Sequence, residues 1–370
     1  MEASQLPTLS VPILTPVVQH ALGYPVDTIG DWESRPLSGG WESTTSIYLV
    51  SGNAIVQEAT APWELVLKIV RSTADRMEPQ HWNYWKREPL AYQSGLLGNL
   101  PGGMAAPQVY EIMVQADESI WLWLEVITET VDAAWTLETY GIVAQQLGRF
   151  NGAYLTGQPL PTGEWVSHDW LRSYVSEYAP VLERLPELQQ HPLVARAIPV
   201  QFVDPLLRLC ADRDLLLAAL DELPQTFCHL DAWRWNLFLT ATPVGEPRLV
   251  AIDWAFVGVG GIGQEVAPLI FSDRREPAIE DHVLRNYLAG LHMTGWRGEE
   301  QLVHFGYAAT MALQYGLALI GFCVEALLDE GQHKFLEEGF GEPLEQLVLR
   351  YGSWLEFTLP RAQQARQWLG

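Results

Sequence analysis

The chain has 370 residues, of which 48% are hydrophobic and 18% charged, with 22 Lys+Arg against 45 Asp+Glu. A formal charge of −23 argues against nucleic acid or an anionic membrane surface as partner, because both are held by neutralising phosphate. Length favours two lobes over one core, and three cysteines without metal-ligand spacing (Cys210, Cys228, Cys323) point to a reducing cytoplasm rather than a disulfide framework.

Taken in order, Pro12–Leu22 reads as a short helix closed by Gly23 and Pro25. Pro36–Val50 reads as strand, Gly39-Gly40 turn, strand. The two glycines would let backbone N–H groups approach an anion, although an ordinary hairpin turn has the same composition. Glu64–Val70 alternates as a strand, with Leu65, Leu67 and Ile69 on one face and Val66, Lys68 and Val70 on the other. A lysine inside so apolar a strand must reach water or meet a fixed anion. Pro79–Leu97 has a helical period, and Glu88 within it is the acid best placed to reach back to Lys68. Val109–Val114 and Ile120–Ile127 read as a hairpin.

There the β-rich pattern ends. Residues 1–127 are expected to form a first lobe with an N-terminal helical extension, and residues 128–370 a helical second lobe. Helices are expected at Leu137–Tyr154, His168–Leu185, Pro205–Leu223, Ala278–Met293, Gln301–Leu328 and Pro343–Leu369. Phe305–Val324 is uncharged over a membrane-spanning length, but its Thr310, Gln314, tyrosines and glycines suit a buried helix better. No membrane association is expected.

Between these helices lies C-H-L-D-A-W-R-W-N over Cys228–Asn236, with Asp253 ending an apolar run downstream. Leu237–Leu239 and Leu249–Ile252 read as strands joined by a turn containing Pro243, Gly245 and Pro247. If they pair about that turn, Asn236 and Asp253 lie side by side at the open end. With Asp231 a few residues upstream, these are oxygen donors suited to a hard cation. Gly258, Gly260 and Gly263 spell G-x-G-x-x-G, yet no second strand with a terminal acid follows. They read as a glycine-rich loop rather than a dinucleotide fingerprint.

In H-L-D-A-W-R-W-N (229–236), I-D-W (252–254), Lys68, Glu88 in W-K-R-E and L-E-V (124–126), the chain resembles the aminoglycoside phosphotransferase and choline kinase family. The resemblance covers roughly residues 30–290. It implies an α+β, bilobal, protein-kinase-like fold with a small β-rich N-lobe and a larger, mainly helical C-lobe. The implied activity is ATP- or GTP- and Mg²⁺-dependent transfer of a γ-phosphate to a hydroxyl of a small molecule. Asp231 then stands as the catalytic carboxylate, Asn236 and Asp253 as Mg²⁺ ligands, and His229 as a structural member of the loop. Lys68 would contact the α/β-phosphates and pair with Glu88, and Gly39-Gly40 would cover the phosphates. Backbone groups of Glu125, Val126 and Ile127 would meet the purine edge, with Val66 packed on its ring.

Departures from the family pattern fall in the same loop: Leu230 where a small residue is usual, the bulky Trp233-Arg234-Trp235, and Glu265 in place of an Asp that orders the loop. Residues 126–370 carry 16 Lys+Arg and 31 Asp+Glu, a balance of −15, which suits a cationic aminoglycoside or amino alcohol. Sixteen tryptophans suit a macrolide or other natural-product acceptor equally. A catalytically silent, kinase-like binding module is the reading from another class, and retention of Lys68, Asp231, Asn236 and Asp253 argues against it.

Overall fold

The structure, a computed structural model, describes residues 8–37, 45–73, 76–129, 135–242, 245, 247–273 and 276–369. Helix α1 (Val11–Leu22) opens on Pro12 and ends where Gly23 takes a φ of 77°, a left-handed turn open to glycine. Three long strands follow: β1 (Thr28–Pro36), β2 (Thr45–Val56) and β3 (Ala59–Val70). With β5 (Val109–Val114) and β6 (Ile120–Leu124) they form one antiparallel sheet ordered β1-β2-β3-β6-β5. Strand β3 is therefore central, and Lys68 stands between Ile47 and Leu122. Its alternation is as expected. Leu65, Leu67 and Ile69 pack with Leu14, Val17 and Val18 of α1, whereas Val66 and Val70 join the larger core. Gly39 and Gly40 lie outside the described residues.

Beyond the sheet the chain is mostly helical, as the implied fold requires. After α2 (Arg87–Gln93) and β4 (Met104–Ala105) come α3 (Leu137–Leu155), α4 (Trp170–Glu183), α5 (Leu185–Leu188), α6 (Pro192–Ala197) and α7 (Val203–Asp221). Four short strands follow: β7 (Gln225–Cys228), β8 (Leu237–Ala241), β9 (Pro247–Ala251) and β10 (Gly258–Gly261). The chain closes with α8 (Val266–Ser272), α9 (Pro277–Met293), α10 (Glu300–Thr310), α11 (Leu319–Leu328), α12 (His333–Phe340) and α13 (Leu344–Gln367). Glu300–Leu328 is the one described helix long and apolar enough to cross a membrane, and 83% of its apolar window is buried in the protein. Its middle, Met311–Ala318, is π-helical. All three cysteines are buried and free.

Three expectations are corrected. The helix predicted over 79–97 is confined to Arg87–Gln93, because the carbonyls of Pro79, His81 and Trp82 turn inward onto the Arg87 guanidinium instead of bonding along a helix. Gly258–Gly261 is not a loop but a strand, paired with β7; side chains here would drive into the Ser167 backbone and the Gln264 amide. Asn236 faces Ile252 rather than Asp253, since the β8–β9 register pairs Leu237 with Ala251 and Ile252 donates its N–H to the Asn236 carbonyl at 2.9 Å.

Helices α3 and α9 cross at reciprocal glycines: a Cβ on Gly148 would collide with the Tyr287 carbonyl, and one on Gly290 with the Gln145 carbonyl. Alanine in a helix normally gains about 1 kcal/mol over glycine. Here Gly290→Ala is expected to lower the unfolding midpoint, because overpacking of about 1–3 kcal/mol outweighs that gain. A thermal melt showing stabilisation would contradict the close crossing.

Candidate active site

Lys68 is the meeting point of the site. Its side chain leaves the central strand on the face away from α1, and only 6% of the residue is exposed. Burial of an ammonium demands fixed anions. Two are present: Glu88 Oε2 at 2.6 Å and Asp253 Oδ1 at 2.7 Å. Burial opposes the Lys68 charge, but the Asp253 and Glu88 carboxylates outweigh it and raise the ammonium above its usual range. Asp253 is held below the usual carboxylate range: burial pushes upward, and the Lys68 charge and hydrogen bond overcome it. Glu88 therefore pairs with Lys68 as expected, and Asp253 joins the pair from 185 residues downstream.

Two adjacent residues of α2 grip the turn after Asp253. Glu88 Oε1 accepts the Trp254 N–H at 3.2 Å, and Arg87 Nη1 donates to the Ala255 carbonyl at 3.1 Å. Arg87 is wholly buried and has no carboxylate partner among the described residues. Its five donor hydrogens go to five backbone carbonyls, those of Pro79, His81, Trp82, Trp165 and Ala255. No sequence pattern announces such a residue. Asp253 itself adopts φ 62°, a left-handed conformation that Asp tolerates better than most residues.

Strand β7 delivers the second group. His229 accepts the Asp231 N–H at Nδ1 (3.3 Å), which leaves Nε2 protonated to donate to the Ile252 carbonyl at 2.9 Å. Both ring nitrogens are thus engaged within the loop, and burial lowers the imidazole pKa to about 4. The His229 N–H in turn donates to Glu265 Oε2 at 2.8 Å, so this acid holds the start of the loop. Burial pushes Glu265 up to about 7.

Asn236 donates both Nδ2 hydrogens to Asp231, to its carbonyl at 3.0 Å and to Oδ2 at 2.8 Å. Its amide oxygen is left without a protein donor among the described residues. Burial, with the Asp253 charge adding to it, pushes the Asp231 carboxyl up to about 8, against the Asn236 hydrogen bond. A carboxyl with a pKa near neutrality is well matched to accepting a proton. Beside the cluster, Val66 is half-buried against the larger core. Glu125 spends its N–H on the Gln108 carbonyl (2.9 Å) and its carboxylate on the Gln108 N–H (3.0 Å). Strand β6 ends at Leu124, short of the expected Ile127, so Val126 and Ile127 lie beyond the ladder.

A family model described as the phosphotransferase enzyme family matches residues 34–302. No curated protein sequence matches the chain. Similar solved structures include a spectinomycin phosphotransferase in complex with ADP and spectinomycin, 12% identical over 96% of this chain and 100% of that one, with a TM-score of 0.49. A choline kinase from Streptococcus pneumoniae is 16% identical over 87% and 93% of the two chains, with a TM-score of 0.49. A choline/ethanolamine kinase family protein from Mesorhizobium loti is 15% identical over 91% and 93%, with a TM-score of 0.47.

Leu230 carries a φ of 63° between His229 and Asp231, a strained conformation for a residue with a Cβ. Its side chain is 5% exposed, so truncation removes packing in any variant. Elsewhere alanine is the less damaging replacement, since glycine adds backbone entropy to the unfolded chain. At Leu230 the order should invert, with Leu230→Gly more stable than Leu230→Ala by about 1 kcal/mol. Chemical denaturation of the two variants decides; an alanine variant that is the more stable would refute the strain.

Proposed function

The chain belongs to the phosphotransferase enzyme family, and we propose that it transfers the γ-phosphate of ATP or GTP, with Mg²⁺, to a hydroxyl of a small, amine-bearing molecule. The observation that carries this reading is the convergence of Lys68, Glu88 and Asp253 with the Asp231–Asn236 pair. The acidic balance of residues 126–370 supports a cationic acceptor such as an aminoglycoside or amino alcohol.

In this reading the Asp231 carboxylate accepts the acceptor's hydroxyl proton as its oxygen bonds to the γ-phosphorus. The bond from phosphorus to the bridging oxygen breaks, and the nucleoside diphosphate leaves with the electron pair. Lys68 turns from Asp253 towards the α/β-phosphates while Glu88 retains it. His229 serves as scaffold, because neither of its ring nitrogens is free to act as a base. The purine edge lies along the Val126–Ile127 backbone, and its ring lies on Val66.

The donor chemistry fits Mg²⁺. Asp253 supplies a carboxylate whose side chain is 36% exposed, and Asn236 an amide oxygen that accepts nothing from the described residues. No cluster of three or more His, Cys, Asp or Glu side chains able to hold a metal exists among the described residues. A pair of hard oxygens that leaves most of the coordination shell to phosphate and water is how Mg²⁺ is usually held beside a nucleotide. When bound there it would neutralise charge on the transferring phosphoryl group.

Asp231→Asn is expected to lower kcat by about 10²–10⁴-fold while Mg²⁺-nucleotide affinity persists. Near-normal turnover in that variant would remove Asp231 from the mechanism. For Asp253→Ala the loss should appear in nucleotide affinity itself, read as a smaller Mg²⁺-dependent rise in melting temperature with ATP or GTP. An unchanged rise would exclude Asp253 as a ligand.

A further inference from the structure

The bulky Trp233-Arg234-Trp235 stretch lies between Asp231 and Asn236, and the Trp233 side chain hydrogen-bonds the Asp231 carboxylate. Its two tryptophans form one stack, and Arg234 turns away from them. Trp233 meets Phe271 of α8 and Tyr315 of the π-helical stretch edge-on, both at 5.6 Å between centroids. Those two rings stack on each other at 4.1 Å, and Phe271 also packs against Trp354 of α13. Arg234 turns to the chain that follows the sheet. Its guanidinium lies 4.0 Å over the Trp135 ring and 3.3 Å from Glu129 Oε2, while Trp135 Nε1 donates to Glu129 Oε1 at 2.8 Å.

Trp235 ends this aromatic column. It stacks on Trp233 at 5.0 Å with 17° between the rings, and it remains 59% exposed. A tryptophan left so open forgoes much of the burial that its size offers. What it gains is a flat apolar surface already fixed in place, with little conformational freedom left to lose when something lies on it. The next residue is Asn236, whose amide holds the Asp231 carboxylate.

We propose that Trp235 is a specificity-determining residue for the acceptor: a fixed platform for a flat ring, whether aromatic or the apolar face of a saturated sugar ring, while a hydroxyl of the same molecule reaches Asp231. This rests on the phosphotransferase reading above. Trp233 and Arg234 are positioning residues, one seating the platform on the core and the other tying the loop to Glu129 and Trp135. An acyclic alcohol gains nothing from such a surface beyond incidental contact.

The test compares three hydroxylated probes on the full chain: 2-(2-naphthyl)ethanol, methyl β-glucopyranoside and the acyclic polyol mannitol. Binding is read by calorimetry, and transfer by nucleotide consumption with Mg²⁺ and ATP or GTP, in the wild type, Trp235→Ala and Trp235→Phe. We expect both ring probes to bind the wild type in preference to mannitol, and Trp235→Ala to weaken them roughly tenfold, the size of one aromatic stacking contact. Trp235→Phe should restore most of that loss, and mannitol should change less than twofold. Where turnover is measurable, the change should fall on KM rather than kcat.

An equal loss for ring and acyclic probes would make Trp235 a structural prop and overturn the proposal. So would an unchanged affinity in Trp235→Ala, or no binding of either ring probe to the wild type. Trp235-dependent binding of the ring probes without phosphate transfer to any of them, or to a panel of aminoglycosides and amino alcohols assayed alongside, would keep the platform and sink the phosphotransferase reading instead. Transfer to mannitol with no ring-probe binding would do the reverse.

Discussion

The candidate site is organised around a single buried ammonium. Lys68 stands mid-strand in the centre of a sheet, where an isolated charge would cost several kcal/mol. The two carboxylates that offset this both lie downstream of the strand but far apart in sequence, one in α2 and one in the turn after β9. Neither half of the chain can satisfy Lys68 alone. The ion cluster therefore fixes the sheet against the helical part, and the position of Asp253 follows from the same requirement. Removing one partner would leave a buried charge uncompensated, which is far costlier than the net contribution of the intact pair. Such a cluster specifies an arrangement more than it stabilises one.

Its charge count bears on what it can bind. One ammonium against Glu88 and Asp253 leaves an excess negative charge, and Asp231 lies close enough to feel it, which is part of why its carboxyl titrates so high. A polyphosphate brought to this place unaccompanied would be repelled. The site becomes attractive to phosphate only with a further cation, and the oxygens of Asp253 and Asn236 are where hard-cation donors are concentrated. Under the function proposed above, the same excess means that nucleotide and metal bind together.

Much of this was legible in the sequence because it depends on short-range rules. Lys68 in an apolar alternating strand and Asp253 at the end of an apolar run each signalled a buried charge in need of a partner, and they prove to be each other's partner. Glu88 followed from its place in the next element. The one-residue offset between Asn236 and Asp253 was not legible, because register is set by how Leu237 and Ala251 face the core rather than by distance from the turn. Arg87 escaped for a different reason. Its partners are five carbonyls scattered from Pro79 to Ala255, and backbone groups leave no mark on composition or periodicity. The glycines of Gly258–Gly261 misled because a loop and a closely packed strand select the same residue.

The loop from His229 to Asn236 shows how a rule can be broken locally and compensated nearby. A left-handed Leu230 costs about 1–2 kcal/mol relative to glycine, so the surroundings must hold it there. They do so from every side. Glu265 accepts the His229 N–H, His229 links Asp231 to Ile252, Asn236 closes back on Asp231, and Trp233 wedges against Phe271 and Tyr315. Buried side chains take over the positioning that a small residue would achieve through backbone freedom. A loop held by packing is stiffer than one held by a glycine turn. Stiffness in turn lets a large aromatic side chain stand in solvent at a defined place, so Leu230 and the tryptophan pair have one physical explanation between them.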